Sequence, residues 1–528
     1  MRGLRVLLCL WLAWAVPLAH ALTQPQARAI AAGETDERIA ALNEAAASGD
    51  SALARFVRAL LDDAVKLTPN QVLIVEGDHA VDAVTGAGAP VPADAEDVVN
   101  NNRMRGALQG ALASLQLLSP ERETRAAAIA ELARQSLDES QLPLLDKAWA
   151  GEADPALKAR LGLMRAGVLV ASVDAVKRIE AASALGRSDE PAVKALLAER
   201  LIDGVEPDPN VRAVLRQSLD QVSSRLTWGE RLGVVFTGLS LGSILLLVAL
   251  GLAITYGLMG VINMAHGELM MVGAYATYVV QNLFKAHAPG WFDHYLWLAV
   301  PTSFAVAALV GAVMERGVIR WLYGRPLETL LATWGISLVL MQTVRSVFGA
   351  QNVPVENPAW LSGGVAVTSN LTLPFNRLAI IVFALLVLAG VALLIARTRL
   401  GLFVRSVTQN RRMAACVGVN TARIDTYAFS LGAGIAGLAG CALSQVGNVG
   451  PDLGQNYIVD SFMVVVLGGV GQLAGTVLAA LGLGVLNKLL EGWAGAVLAK
   501  IMVLVFIVVF IQKRPQGLFA MKGRSAEA

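Results

Sequence analysis

The sequence predicts an all-α protein in two parts: a polytopic membrane bundle of about 8–10 spans, preceded by a mostly helical, HEAT-like exported domain. Three observations carry that expectation. Of 528 residues, 55% are hydrophobic and only 16% are charged, too apolar for a wholly water-borne chain of this size. The net charge of +2 conceals a segregation, because residues 22–227 carry 22 Lys/Arg against 30 Asp/Glu whereas residues 228–528 carry 19 against 11. Apolar stretches of spanning length begin abruptly near Thr227 and recur along the rest of the chain. The boundaries expected are a leader at 1–21, an exported domain at 22–227 and a membrane domain at 228–528.

The leader, MRGLRVLLCLWLAWAVPLAHA, has Arg2 and Arg5 at its start, an apolar run of about a dozen residues, and Ala19 and Ala21 as a small-x-small cleavage signal. It reads as a secretory signal peptide cut before Leu22. An uncleaved first span is the alternative, disfavoured by the shortness of the run and by Pro17. Either reading exports the domain at 22–227. Of the three cysteines, Cys9 lies in the leader and Cys416 and Cys441 lie far downstream, so no cysteine pair is left to staple the exported domain.

Residues 24–227 are rich in Ala, Leu, Arg and Glu, with apolar residues at helical spacing, as in Ile129, Leu132, Ala133 and Leu137. A faint repeat is visible. SLDESQLPLL (136–145) is echoed by GRSDEPAVKALL (186–197), and EADPALKARL (152–161) by EPDPNVRAVL (206–215). A period of this size fits stacked helical hairpins. Asp154-Pro155 and Asp208-Pro209 suit helix starts, since Asp caps free N–H groups and Pro is tolerated in the first turn. Residues 71–74 and 81–84, with glycines after each, read as a β-hairpin interrupting the helices. Such a domain serves either to dock a protein or to stabilise the rest.

Spans are expected near 234–257, 261–283, 296–315, 328–348, 376–396, 426–446, 457–471, 473–491 and 495–512, the seventh short enough to be re-entrant. Arg316, Arg320 and Arg325 fall in one connection, Arg397 through Arg423 in a second, and Lys513, Arg514, Lys522 and Arg524 in the tail. Placing all three basic regions in the cytoplasm requires an odd number of spans and an outside N-terminus, in agreement with the leader. Glycine-rich runs such as GAGIAGLAG (432–440) and GGVGQLAG (468–475) let helix backbones approach closely in lipid. Few polar residues lie within the spans. Asn263, His266 and Glu268 sit at the entry of the second, where they serve as a pathway or gate or as hydrogen bonds between helices. Asp460, Lys488 and Lys500 read as interfacial.

Residues 401–425, GLFVRSVTQNRRMAACVGVNTARID, join two spans and alternate Arg405, Arg411, Arg412 and Arg423 with Val404, Met413, Val417 and Val419. That is too much charge for a span and too much apolar surface for a plain linker. The segment reads as a short amphipathic helix at the cytoplasmic face, a place for another protein to push; a basic loop obeying the positive-inside rule is the plainer reading. The chain has no GxxxxGK[ST], HExxH or GxSxG, and GVGQLAGT lacks the lysine of a phosphate cradle, so neither a cofactor nor a metal is called for and any ATP is hydrolysed elsewhere.

The blocks GLAITYGLMGVINMAHGELMMVGAY (251–275), RTRLGLFVRSVTQNRRMAACVGVN (397–420), AFSLGAGIAGLAGC (428–441) and VVLGGVGQLAGTVLAALGLG (465–484) together resemble the permease family of branched-chain amino acid ABC importers. The long exported domain ahead of them is more similar to the urea-type permease of that family. The resemblance implies a non-enzymatic, multi-pass inner-membrane subunit with a periplasmic N-terminal domain and a cytoplasmic C-terminus. It implies as partners a second homologous permease, two ABC ATPase subunits and a periplasmic substrate-binding protein, and no nucleic acid. It also places the coupling element on Arg405, Gln409, Asn410, Arg411, Arg412, Met413, Ala414, Ala415, Val417 and Gly418, the arginines touching the ATPase and the small and apolar residues seating the helix. Urea, small and neutral, asks for hydrogen-bonding groups at a narrow point and little buried charge. Branched-chain amino acids or short amides are the alternative solutes, and a channel with a periplasmic sensor is the alternative of another class.

Overall fold

The computed structural model describes residues 22–519 apart from 47–50, 70, 77–78, 93–94, 136 and 138. The expected leader, with Ala19 and Ala21, lies outside the described residues, as do Lys522 and Arg524. The chain divides into two compact units, Met1–Leu226 and Thr227–Ala528.

The first unit opens with α1 (Gln24–Ala31), α2 (Thr35–Ala46) and α3 (Ser51–Leu61). The expected hairpin is present as β2 (Val72–Glu76) against β3 (His79–Asp82), with Leu73 opposite Asp82. Three strands not foreseen extend it: β1 (Val65–Leu67), β4 (Gly88–Ala89) and β5 (Glu96–Asp97) complete an antiparallel sheet of order β4-β3-β2-β1-β5. Strands of two or three residues leave almost no period to read in a sequence. Val72 and Ile74 are buried with Phe56, Leu60, Met104 and Leu108, so the sheet shares one core with the helices beside it.

The helices continue as α4 (Asn102–Gln116), α5 (Arg122–Leu132), α6 (Leu142–Gly151), α7 (Pro155–Leu169), α8 (Ala175–Leu185) and α9 (Pro191–Arg200). One clamp occurs twice among them. The Arg125 guanidinium donates to Glu152 through Nε (2.7 Å) and Nη2 (3.0 Å), and through Nη1 to the carbonyls of Ser119 and Pro120. Arg178 makes the same set of bonds to Glu206 (3.0 Å twice) and to the carbonyls of Ser172 and Val173. Each glutamate also accepts from the backbone N–H of an aspartate two residues on, Asp154 or Asp208, and that aspartate caps the next helix. The echo between 152–161 and 206–215 is thus an echo of hydrogen bonds as well as of letters.

The long helix α10 (Pro209–Met259) begins before the division at Leu226/Thr227 and ends in the second unit at Gly260, whose φ of +66° suits glycine. It is followed by α11 (His266–His287), α12 (Tyr295–Gly317), α13 (Pro326–Phe348), a β6–β7 hairpin (Gly364–Thr368 and Leu371–Pro374) and α14 (Phe375–Arg397). Then come α15 (Arg399–Gln409), α16 (Arg411–Cys416), α17 (Thr421–Ser444), α18 (Leu453–Gly468), α19 (Leu473–Ala494) and α20 (Ala496–Lys513). Seven of the described helices are long and apolar enough to cross a membrane: those containing α10, α12, α13, α14, α17, α19 and α20. The two other expected spans correspond to α11 and α18. At 16 residues α18 is too short to cross alone, and α11 is a buried helix of 22 residues that carries polar groups because it faces protein rather than lipid.

Helices α11, α12 and α17 form the centre. Gly273 lies against Gly437, Gly440 against the Met270 carbonyl, and Gly437 against the Ser303 carbonyl, so backbones touch where any side chain would stand between them. The apolar stretch of α17 is 78% enclosed by the chain, that of α12 28%, and those of α14 and α20 17% each.

Candidate coupling loop and buried polar face

The connection between α14 and α17 folds as two short helices. Thr398 caps α15 through a bond from the Gly401 N–H (3.3 Å), Asn410 caps α16 through the Met413 N–H (2.9 Å), and Asn420 caps α17 through the Arg423 N–H (3.1 Å). Three polar side chains thus set every helix start in the loop. Gly401, Val404, Val407 and Ala414 face the protein. Arg405, Gln409, Asn410, Arg412, Met413, Ala415, Val417 and Gly418 are exposed, Met413 at 61% and Val417 at 74%. No described residue covers this apolar surface on a basic turn.

Arg411 behaves differently. Its guanidinium forks onto the carboxylate of Asp425, with Nη1 3.2 Å from Oδ1 and Nη2 closer still to Oδ2, and lies 5.1 Å from the centre of the Tyr323 ring. The Tyr323 hydroxyl donates to Glu315 (2.9 Å), which also accepts from Thr426 (2.6 Å) and pairs with Arg320 (3.3 Å). Burial, with the charges of Asp425 and Glu315, pushes the Tyr323 phenol far above its ordinary range, so it stays a donor. Asp425 and Glu315 are both buried. This lattice joins α16 to the end of α12 and the start of α17. Sequence reasoning took Arg411 as a contact for a partner; Glu315, Tyr323 and Asp425 escaped it, although acids within or beside a span are the signal that finds them.

The three polar residues proposed as a pathway or gate are all buried: Asn263 at 1% exposure, His266 at 0% and Glu268 at 1%. Residues 260–265 turn back into the bundle after α10. The His266 ring nitrogen Nε2 donates to the Val248 carbonyl (3.1 Å), eleven residues before the end of α10 and so about 16 Å along its axis. Helix α11 therefore starts at mid-depth. Helix α18 does the same, since its Gly454 rests on the backbone of Gly267. The residues point different ways. His266 faces α10, while Glu268 accepts from Ser337 of α13 (3.1 Å) through Oε1, and Asn263 accepts from the Ala265 N–H (3.1 Å). Asn263 Nδ2, His266 Nδ1 and Glu268 Oε2 find no hydrogen-bond partner among the described residues. On α13, Thr329, Thr333 and Ser337 make a buried hydroxyl row at four-residue spacing along the same side. Asp460 and Lys500 lie 3.6 Å apart across α18 and α20, and Lys488 pairs with Glu491 (2.6 Å).

The chain matches the family described as branched-chain amino acid transport system, permease component, over residues 234–511. It is 30% identical over 252 residues to the high-affinity branched-chain amino acid transport system permease protein BraD of Pseudomonas aeruginosa, covering 47% of this chain and 82% of that protein. It is 27% identical over 295 residues to the corresponding permease LivH of Salmonella typhimurium, covering 54% and 94%. It is 25% identical over 308 residues to the permease LivM of Escherichia coli, covering 53% and 69%. No solved structure matches the chain. With the family's region spanning more than half of the sequence, this chain belongs to the family of branched-chain amino acid transport permease components.

Proposed function

We propose that this chain is one of two homologous membrane subunits of an ATP-driven importer, that the 401–418 loop receives the motor's stroke, and that the imported solute is urea. The observation that carries the coupling reading is the division of labour in the loop. Arg411, itself partly exposed, is tied through its guanidinium to the buried Asp425, while Arg412 and Met413 on the same short helix and Val417 just after it are exposed. A partner ATPase that grips the exposed face moves α16, and the Arg411 lattice hands that displacement to α12 and α17. Two states of the permease pair then differ in free energy by the motor's preference for one of them, several kcal/mol if the switch is to be nearly complete.

Urea is supported by the domain ahead of the matched region, and by the scarcity of ionised groups at the centre of the bundle. Branched-chain amino acids are the second reading, supported by what BraD, LivH and LivM are named for. We further place the first unit outside and the 401–418 loop inside, with a solute-binding protein delivering from the outer face. Uptake of ¹⁴C-urea and ¹⁴C-leucine by vesicles carrying the whole assembly, with active or hydrolysis-dead ATPase, tests all of this. ATP-dependent accumulation of urea that excess leucine does not suppress is the expected result. Accumulation of leucine alone reassigns the solute, and flux that ignores ATP hydrolysis identifies a channel.

A further inference from the structure

We infer that a solute site lies within this single chain, in the cavity at the end of the bundle opposite the 401–418 loop, and that it takes its ligand through N–H donors. The inference rests on the importer reading and adds a place and a chemistry to it. Helix α17 starts beside the loop at Thr421 and ends at Ser444, and just beyond that end lies a cavity of about 290 Å³ lined by Asn352, Asn448, Asp452 and Asn456. Three carboxamides, each able to donate and accept, and a carboxylate already paired with Arg345 (2.5 Å) make a wall of hydrogen-bonding groups with its formal charge balanced. Two of the segments around it are tied together, Val353 and Val449 exchanging both backbone hydrogen bonds (2.8 and 2.9 Å).

Beneath this cavity is the polar face of α11. Asp452 and Leu453 lead directly into Gly454, whose backbone rests on Gly267, and the next residue of α11 is Glu268. Glu268 uses Oε1 for Ser337 and leaves Oε2 without a partner; Tyr275, seven residues on and so on the same side of the helix, leaves its hydroxyl without one. Both side chains are at least 97% buried. Each of these buried groups, an open carboxyl oxygen and, two turns further along α11, an open phenol, is costly unless something that enters supplies the missing bond. An amide or ammonium group does so. Its N–H groups meet Glu268 Oε2, and a carbonyl or carboxylate oxygen accepts from the Tyr275 hydroxyl. Urea carries four N–H bonds and one carbonyl and so offers both kinds of partner. A free amino acid offers the same two ends through its ammonium and carboxylate, so the experiment separates these sources.

The test uses the complete transporter in proteoliposomes. Half-saturation concentrations for ¹⁴C-urea and ¹⁴C-leucine uptake are measured for Glu268→Gln, Tyr275→Phe and Asn456→Ala, with co-purification of the ATPase as the check on assembly. Independently, a cysteine introduced as Asn456→Cys in a Cys416→Ala background is labelled with an impermeant maleimide, with and without each solute. The expected result is a rise of about tenfold or more in the urea half-saturation for Glu268→Gln, together with slower labelling in urea. Protection and shifts for leucine alone keep the site and overturn urea as its ligand. Half-saturations within twofold of the wild type and labelling indifferent to both solutes overturn the site, and labelling decides by itself if Glu268→Gln fails to assemble. ATP-independent uptake by the wild type defeats the importer reading instead, a separate outcome.

Discussion

Arg411 shows what a single side chain contributes when it has two jobs to choose between. Its planar fork matches the Asp425 carboxylate and its flat face covers Tyr323, which a lysine cannot reproduce. Replacing it with alanine leaves Asp425 buried and unpaired, and we expect a loss of about 1.5–3 kcal/mol in local stability, read as faster hydrogen exchange across 411–426; Arg411→Lys recovers only part of it. In the first unit Glu152 supplies a pH dependence whose sign is fixed. Hydrogen bonds from Arg125, outweighing burial, hold its carboxyl below the ordinary 4.5. Because the folded value is the lower one, its contribution is fully present above about pH 4.5 and fades as the pH falls through the folded value. Limited proteolysis of the full-length protein should therefore show residues 119–160 becoming susceptible as the pH is taken below 4.5, and Glu152→Gln should flatten that dependence.

At the scale of an element, α16 is six residues long, held by one asparagine cap and one buried alanine, Ala414. So short a helix has little stability of its own, and it keeps its shape because its neighbours do. Arg412→Glu with Met413→Asp alters only exposed positions; the variant should fold and insert normally yet lose most co-purifying ATPase, and undiminished co-purification would refute the contact. The clamp formed by Arg178 and Glu206 is a contrasting element, sealed from water. Arg178→Ala should destabilise the segment from α8 to α9 by about 3–5 kcal/mol, visible as a lower unfolding transition of the full chain.

For the whole molecule, the orientation is open to a direct check. Val367, exposed in the β6–β7 hairpin, and Arg412 lie on loops separated by α14, so cysteines at these positions should label from opposite sides of sealed vesicles, Val367→Cys from outside and Arg412→Cys from inside. Labelling from one side would invalidate the topology. How much of this was legible in the sequence depended on period and length. Long apolar runs announced α10, α12, α13, α14, α17, α19 and α20, and the Asp-Pro pairs announced the capped starts at Pro155 and Pro209. The loop was legible as a loop, but the inward turn of Arg411 was not, since a pairing fourteen residues apart across two caps leaves no periodic trace. The residues around the 290 Å³ cavity come from the connection after α13 and, about a hundred residues on, from the end of α17 through the start of α18, and only the fold brings them together.

The glycine contacts among α11, α12 and α17 have a mechanical corollary. Where Gly273 meets Gly437 and Gly440 meets Met270 there is no layer of side chains to shear, so neighbouring backbones interlock like keyed stones. The three helices must travel as a block, and any hinge has to be sought at their margins, where helices give way to unwound turns such as 260–265.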